Sequence, residues 1–281
     1  MTLVTAAGDM RALGAAGLKS WRVSRRYPTN LVGWVFWPIA LPALYVLQAS
    51  AFSGDLPAAL NAFADRTGTG EVAAFLFLGW TAYMWLSFVL WGPGTALRTE
   101  QIRGSLEAQL LTPVSRAVVL FGPAVQEMIW LVVVLGVVLV ALVAAFGMTI
   151  GPGELVAAIG VLLVGLPSLY GLGALFAALV LRFGEVDAPV QLVRGLFTAV
   201  CGMSFPIAVL PDTAWWVAVW LPPTYLIADL RAVLLGSDPV FGLVPDLAIL
   251  LAMGAVLCGL AMLAFRATER HARRGGSLAQ Y

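Results

Sequence analysis

The chain has 281 residues, 61% of them hydrophobic and only 11% charged, with a formal net charge of +1. Soluble domains carry about 25% charged residues, so this composition excludes a soluble domain of useful size and points to an integral membrane protein. Two cysteines, Cys201 and Cys258, both in apolar stretches, and one histidine, His271, imply neither a disulfide framework nor a metal site.

The first 30 residues contain no continuous apolar region of the signal-peptide kind, so no cleaved leader is expected. Within them Met10, Leu13, Gly14, Gly17, Leu18 and Trp21 recur at helical spacing, with Lys19, Arg22, Arg25 and Arg26 off that stripe or just past it. Residues 10–26 therefore read as a helix lying in the membrane interface. Six apolar spans follow, from about Leu31 to Ala51, Val72 to Leu97, Ala117 to Phe146, Leu155 to Leu181, Pro189 to Leu210 and Leu243 to Phe265. A single lysine among many arginines, with Ala, Val, Gly and Leu dominating, suggests a GC-rich bacterial genome.

Between the second and third spans lies a charged island, residues 98–112, followed by Pro113. Ile102, Leu106, Leu110 and Leu111 recur at helical spacing while Arg98, Glu100, Arg103 and Glu107 occupy other faces. Glu100 stands three residues before Arg103, and Arg103 four before Glu107, so the charges pair along a helix. Thr112-Pro113 stops it. An amphipathic helix in this place is a handle for another protein.

Basic residues fix the orientation. Fourteen of the sixteen fall on one side, counting the N-terminal segment, the 98–116 loop, Arg182 and Arg194 between spans four and five, and the tail beyond Arg266. Only Arg66 and Arg231 fall on the other. That places both termini in the cytoplasm. Residues 213–236 tempt a seventh span, but Pro222-Pro223 breaks them, Asp229 and Arg231 interrupt them, and a crossing would put the basic tail outside. They read as two short helices that enter the outer leaflet and return.

No phosphate-binding G-x-x-x-x-G-K-[ST] occurs. The only lysine is Lys19, and Leu18 precedes it, so the chain cannot hydrolyse ATP alone. The span centres are nearly free of ionisable groups. Glu127 is the exception, eleven residues after Arg116 and so about 16 Å along a helix, a possible intramembrane polar site. It reads either as a carboxylate facing a bundle cavity or helix end, or as a substrate or proton site. Aromatics crowd the first two spans and the outer hairpin. Most suit the interfacial belt, but Tyr83 and Trp85 sit near mid-span.

The order Glu100, Gly104-Ser105-Leu106-Glu107, Leu110-Leu111, Thr112-Pro113, Ser115-Arg116 resembles the E-x-x-x-G-[TS]-L-E-x-x-L-x-T-P-x-S-R block of ABC-2 type transporter permeases. Phe205-Pro206, Leu210-Pro211, Pro222, Thr224-Tyr225, Leu230-Arg231 and Leu234-Leu235-Gly236 resemble that family's second block, FP…LP…P-x-TY…LR…LLG. The resemblance implies a single all-α permease domain over residues 1–281. It has six transmembrane helices, an N-terminal connecting helix, a cytoplasmic coupling helix and an outer re-entrant hairpin. It implies that Glu100, Arg103, Gly104, Ser105, Leu106, Glu107, Leu110 and Leu111 contact a separate ATPase subunit, which holds ATP and Mg. It also implies pairing with a second permease chain, identical or homologous, in the bacterial cytoplasmic membrane. The substrate path would then run between permeases along spans two and five, where Tyr83, Trp85, Phe197, Met203 and Phe205 offer aromatic and flexible apolar lining. The expected cargo is lipophilic or amphipathic: a drug, lipid or glycolipid. Membrane lipids are expected partners and nucleic acid is not. Two other readings stay open: an ion-coupled secondary transporter, and a structural or regulatory membrane protein.

Overall fold

The computed structural model describes residues 6–24, 26, 28–52, 56–102, 115–122, 124–183 and 187–275. In chain order the helices are α1 (Ala6–Ser24), α2 (Pro28–Phe52), α3 (Leu56–Thr67), α4 (Val72–Ile102), α5 (Arg116–Phe121), α6 (Ala124–Phe146), α7 (Pro152–Phe183), α8 (Asp187–Val200), α9 (Asp212–Ala218), α10 (Pro222–Leu235) and α11 (Leu243–Gly275). A single 3-10 turn, Ile207–Val209, precedes α9, and no strand occurs among the described residues.

Three stretches among the described residues are long and apolar enough to cross a membrane unaided: Val72–Gly92, Pro152–Val180 and Leu243–Arg270. Shorter apolar stretches, Phe36–Gln48 and Trp130–Phe146, lie within α2 and α6. Much of the exterior along these helices is apolar. Val132, Val140, Leu163, Val244, Val256 and Leu263 all stand exposed, as expected where lipid and not water covers the surface.

Packing sorts the helices around α4 and α7. Leu78, Trp85 and Val89 of α4 meet Leu131 and Leu135 of α6, Leu162 and Leu169 of α7, and Leu226 and Leu230 of α10 in one buried cluster. Toward the other end of α7, Ala174, Ala177 and Ala178 pack against Ala261 and Phe265 of α11 and Leu120 of α5. These small side chains let the backbones approach closely. Pro167 inside α7 cannot donate to the helix ladder. Cys258 of α11 donates its Sγ–H to the Pro167 carbonyl at 3.3 Å, which ties α11 to that point.

The fifth span differs from expectation. A continuous span over 189–210 does not form: α8 stops at Val200 after 14 residues. Its length of about 21 Å falls short of a hydrocarbon core of about 30 Å. The cause is local. Gly202 takes a positive φ of 72°, the left-handed geometry that ends helices, and Pro206 follows. The chain then runs irregularly to the 3-10 turn. Beyond it, α9 and α10 meet at 90° across the break that Pro222-Pro223 imposes.

Candidate functional site

Three levels of the molecule carry polar chemistry. At one end, α4 continues past its apolar stretch to Ile102 and so carries Glu100 on its last turns. Residues Arg103, Gly104, Ser105, Leu106, Glu107, Leu110 and Leu111, expected to contact an ATPase subunit, lie outside the described residues, and so does the side chain of Glu100. The segment's exit is described. Ser115 caps α5, its Oγ accepting from Val118 N at 3.4 Å. Asp9 of α1 accepts from Ser115 N through Oδ1 at 3.1 Å. Trp21 of α1 packs on Trp130 of α6 with centroids 5.9 Å apart. The N-terminal helix is therefore fastened beside the point where the charged island ends.

At the middle level, the expected path residues separate. Trp85 is buried against α6, α7 and α10, while Phe197 and Met203 are buried between α4, α8 and α10. Tyr83 and Phe205 remain half-buried. Tyr83 has company the sequence reading missed. Arg194 of α8 donates an Nη2–H to the Tyr83 hydroxyl, and its guanidinium carbon lies 4.9 Å from the ring centre. Trp80 packs edge-on to Tyr83 at 4.9 Å and stacks with Tyr45 of α2 at 4.7 Å. The sequence reading put Arg194 in the loop between spans four and five. The structure corrects this: the residue lies inside α8. The missed signal is its register, four residues after buried Val190 and three before buried Phe197, on the inward face. Glu127 lies in α6, and its side chain falls outside the described residues.

The opposite end is built from the second sequence block. Thr224 Oγ1 donates to Ala218 O and Tyr225 Oη to Val219 O, both at 2.7 Å, and these bonds hold the right-angle bend. Gly236 closes α10 in the left-handed conformation. Arg231, fully buried, donates to Phe75 O at 2.8 and 3.1 Å, to Gly202 O at 2.6 Å and to Met203 O at 2.9 Å. Its guanidinium also lies 3.4 Å from the Phe75 ring centre. One side chain thus pins α10 to the start of α4 and to the chain just after α8, where carbonyls of the helix C-terminus welcome a cation. Gly79 makes room for this junction: a Cβ there would stand 1.8 Å from Met203 O.

Asp246 is also buried, although its place near the start of span six suggests a boundary charge. It accepts from Val240 N at 2.8 Å and Phe241 N at 3.1 Å and so ties down the loop that enters α11. Asp229 of α10 adjoins it, and neither Asp229 oxygen receives a donor from the backbone. The bundle thus holds more buried ionisable side chains than its spans suggest. Beside Arg231 a cavity of about 210 Å³ opens, lined among others by Phe75, Cys201, Trp215, Thr224 and Asp238. No cluster of His, Cys, Asp or Glu among the described residues suits a metal ion.

A comparison with curated proteins finds no match. A comparison with protein families matches residues 39–263 to the family described as ABC-2 family transporter protein. The match runs from within α2 to within α11 and takes in the charged island, the Tyr83–Arg194 contact and the bent α9–α10 pair. The chain is a multi-pass membrane protein and belongs to the ABC-2 transporter family.

Proposed function

We propose that the chain is the membrane subunit of an ATP-driven exporter that moves a lipophilic or amphipathic substrate, a drug, lipid or glycolipid, across the bacterial cytoplasmic membrane. A separate ATPase subunit binds ATP and Mg, and a second permease chain completes the path. The observation that carries this reading is the charged sequence island that follows α4, together with the Asp9–Ser115 contact that ties the chain just after it to α1. ATP-driven closure of the ATPases pushes on Glu100 to Leu111, and α4, about 46 Å long, carries that motion outward. At its far end the Arg231 pin passes the motion to α9 and α10. The family match supports the permease role, and the basic residues around α1, the island and the tail support cytoplasmic termini.

In this reading α2, α6 and α8 join the three long spans to make six crossings. The short α8 is completed by the irregular chain after Gly202, and α9 and α10 dip into the outer leaflet and return. Tyr83 and Phe205 face the path, with Trp85, Phe197 and Met203 as the wall behind them. The test is purification of the tagged permease together with a soluble P-loop protein, followed by substrate-stimulated ATP hydrolysis in lipid. Glu107→Arg is expected to cut assembly or coupled hydrolysis at least tenfold while the permease still inserts. Normal transport by that variant would sink the proposal.

A further inference from the structure

The cavity beside Arg231 holds more polar chemistry than the pin requires. Its volume of about 210 Å³ is below the roughly 300–1,000 Å³ of a pocket for a drug-sized molecule, so it suits a head group or a small ion. Two guanidinium groups line it, those of Arg66 and Arg231, against one carboxylate, that of Asp238. Arg231 is buried, and all its hydrogen bonds go to neutral carbonyls. Those bonds leave one N–H of Nη1 unused, and carbonyls do not cancel the charge. Arg66 stands exposed on the last turn of α3, and no carboxylate among the described residues forms an ion pair with either arginine. Ser237, in the turn after α10, lines the same cavity and is only 6% exposed. Its hydroxyl meets no hydrogen-bond partner among the described residues. A buried hydroxyl in that state is costly until a ligand or water completes it. Phe75, Ile207, Trp215 and Val240 supply apolar wall, which excludes water and strengthens the pull of the two cations.

We propose that this cavity binds a small anionic head group, a phosphate or carboxylate, held by the charges of Arg66 and Arg231 and by the Ser237 hydroxyl. The arginines supply the counter-charge, and the hydroxyl supplies a donor. Asp238 opposes the anion, so the cavity favours a group of low negative charge. Binding requires no ATPase and does not rest on the exporter reading.

The experiment titrates the purified permease in phosphatidylcholine nanodiscs with two radiolabelled probes of equal chain length, lysophosphatidylglycerol and lysophosphatidylcholine, after subtraction of empty discs. The wild-type chain is expected to bind the anionic probe roughly tenfold more tightly. Arg231 also pins the fold, so the variants are made elsewhere on the cavity wall. Arg66→Gln and Ser237→Ala should each weaken the anionic probe by about threefold to tenfold. Asp238→Asn should act in the opposite direction and tighten it, a sign that general loosening of the fold would not produce. Arg266→Gln removes a charge from an exposed position on α11 and should leave binding unchanged. Equal affinity for both probes in the wild type would overturn the site, and so would weakening by Asp238→Asn or equal damage by Arg66→Gln and Arg266→Gln. Competition then separates the sources. Displacement of the probe by millimolar inorganic phosphate identifies a free anion as sufficient, and displacement only by phosphatidylglycerol in the disc identifies a lipid head. Displacement by neither would overturn the site. A permease with no anion preference but normal partner-coupled ATP hydrolysis would remove the site and leave the exporter reading standing.

Discussion

Arg231 shows how much one buried side chain can organise. Its bonds reach three carbonyls on two other parts of the fold, and hydrogen bonds to a charged group contribute about 1.5–3 kcal/mol each. Arg231→Ala would strand Phe75, Gly202 and Met203 carbonyls in a buried place, so a loss on the order of 3 kcal/mol or more is expected. Arg231→Lys should recover only part, because an ammonium cannot span the same acceptors as a planar guanidinium. Thermal unfolding of the purified variants reads this directly, and indistinguishable melting of all three forms would dismiss the pin. The sequence pointed to Arg231 only as a charge on the wrong side and as part of a family block. Its acceptors could not be read, since Phe75 and Met203 lie far from it in the chain and carbonyls carry no residue signature. Arg194 was misread for a related reason. Counting basic residues assigns each to a side of the membrane by its neighbours in sequence, whereas its helical register places it on the inward stripe with Val190 and Phe197.

The outer hairpin was legible as an element and the fifth span was not. Pro222-Pro223 can only begin a helix, so a break there follows from the missing amide hydrogens. The right angle itself depends on side chains that reach back six residues, Thr224 to Ala218 and Tyr225 to Val219. Tyr225→Phe keeps the ring and removes one of these bonds. The expected cost is about 1–2 kcal/mol, because the buried Val219 carbonyl loses its donor. The loss should appear as faster hydrogen exchange confined to residues 212–235, and unchanged exchange there would show that the bend is set by the prolines alone. For the span expected over 189–210, apolar content extended through Phe205 and Leu210 and hid the stop. The decisive feature is the backbone of Gly202, whose positive φ is invisible to hydropathy.

At the scale of the whole molecule, charge asymmetry and helix geometry together define a topology that labelling can check. The basic residues gather around α1, the island after α4 and the end of α11, and α4 and α11 are each long enough to separate their two ends by a full bilayer. Residues near the start of α4 and on α9 then lie outside, and residues beyond Gly275 lie inside. The free thiols Cys201 and Cys258 must first be replaced by alanine. In that background, cysteine at Gly70, where a side chain meets no atom within 4 Å, should react with an impermeant maleimide applied to intact cells. Cysteine at exposed Thr213 should react as well, because α9 returns to the face it came from. Cysteine at Ser277 should react only after permeabilisation. If α9 and α10 instead crossed as one bent span, α11 would run the other way and Ser277 would label from outside. Labelling at Thr213 with protection at Ser277 is the combination that a returning hairpin requires. A returning hairpin leaves an even number of crossings between α1 and the end of α11, which would put the two basic ends of the chain on one face of the membrane, as the proposed docking to an ATPase requires.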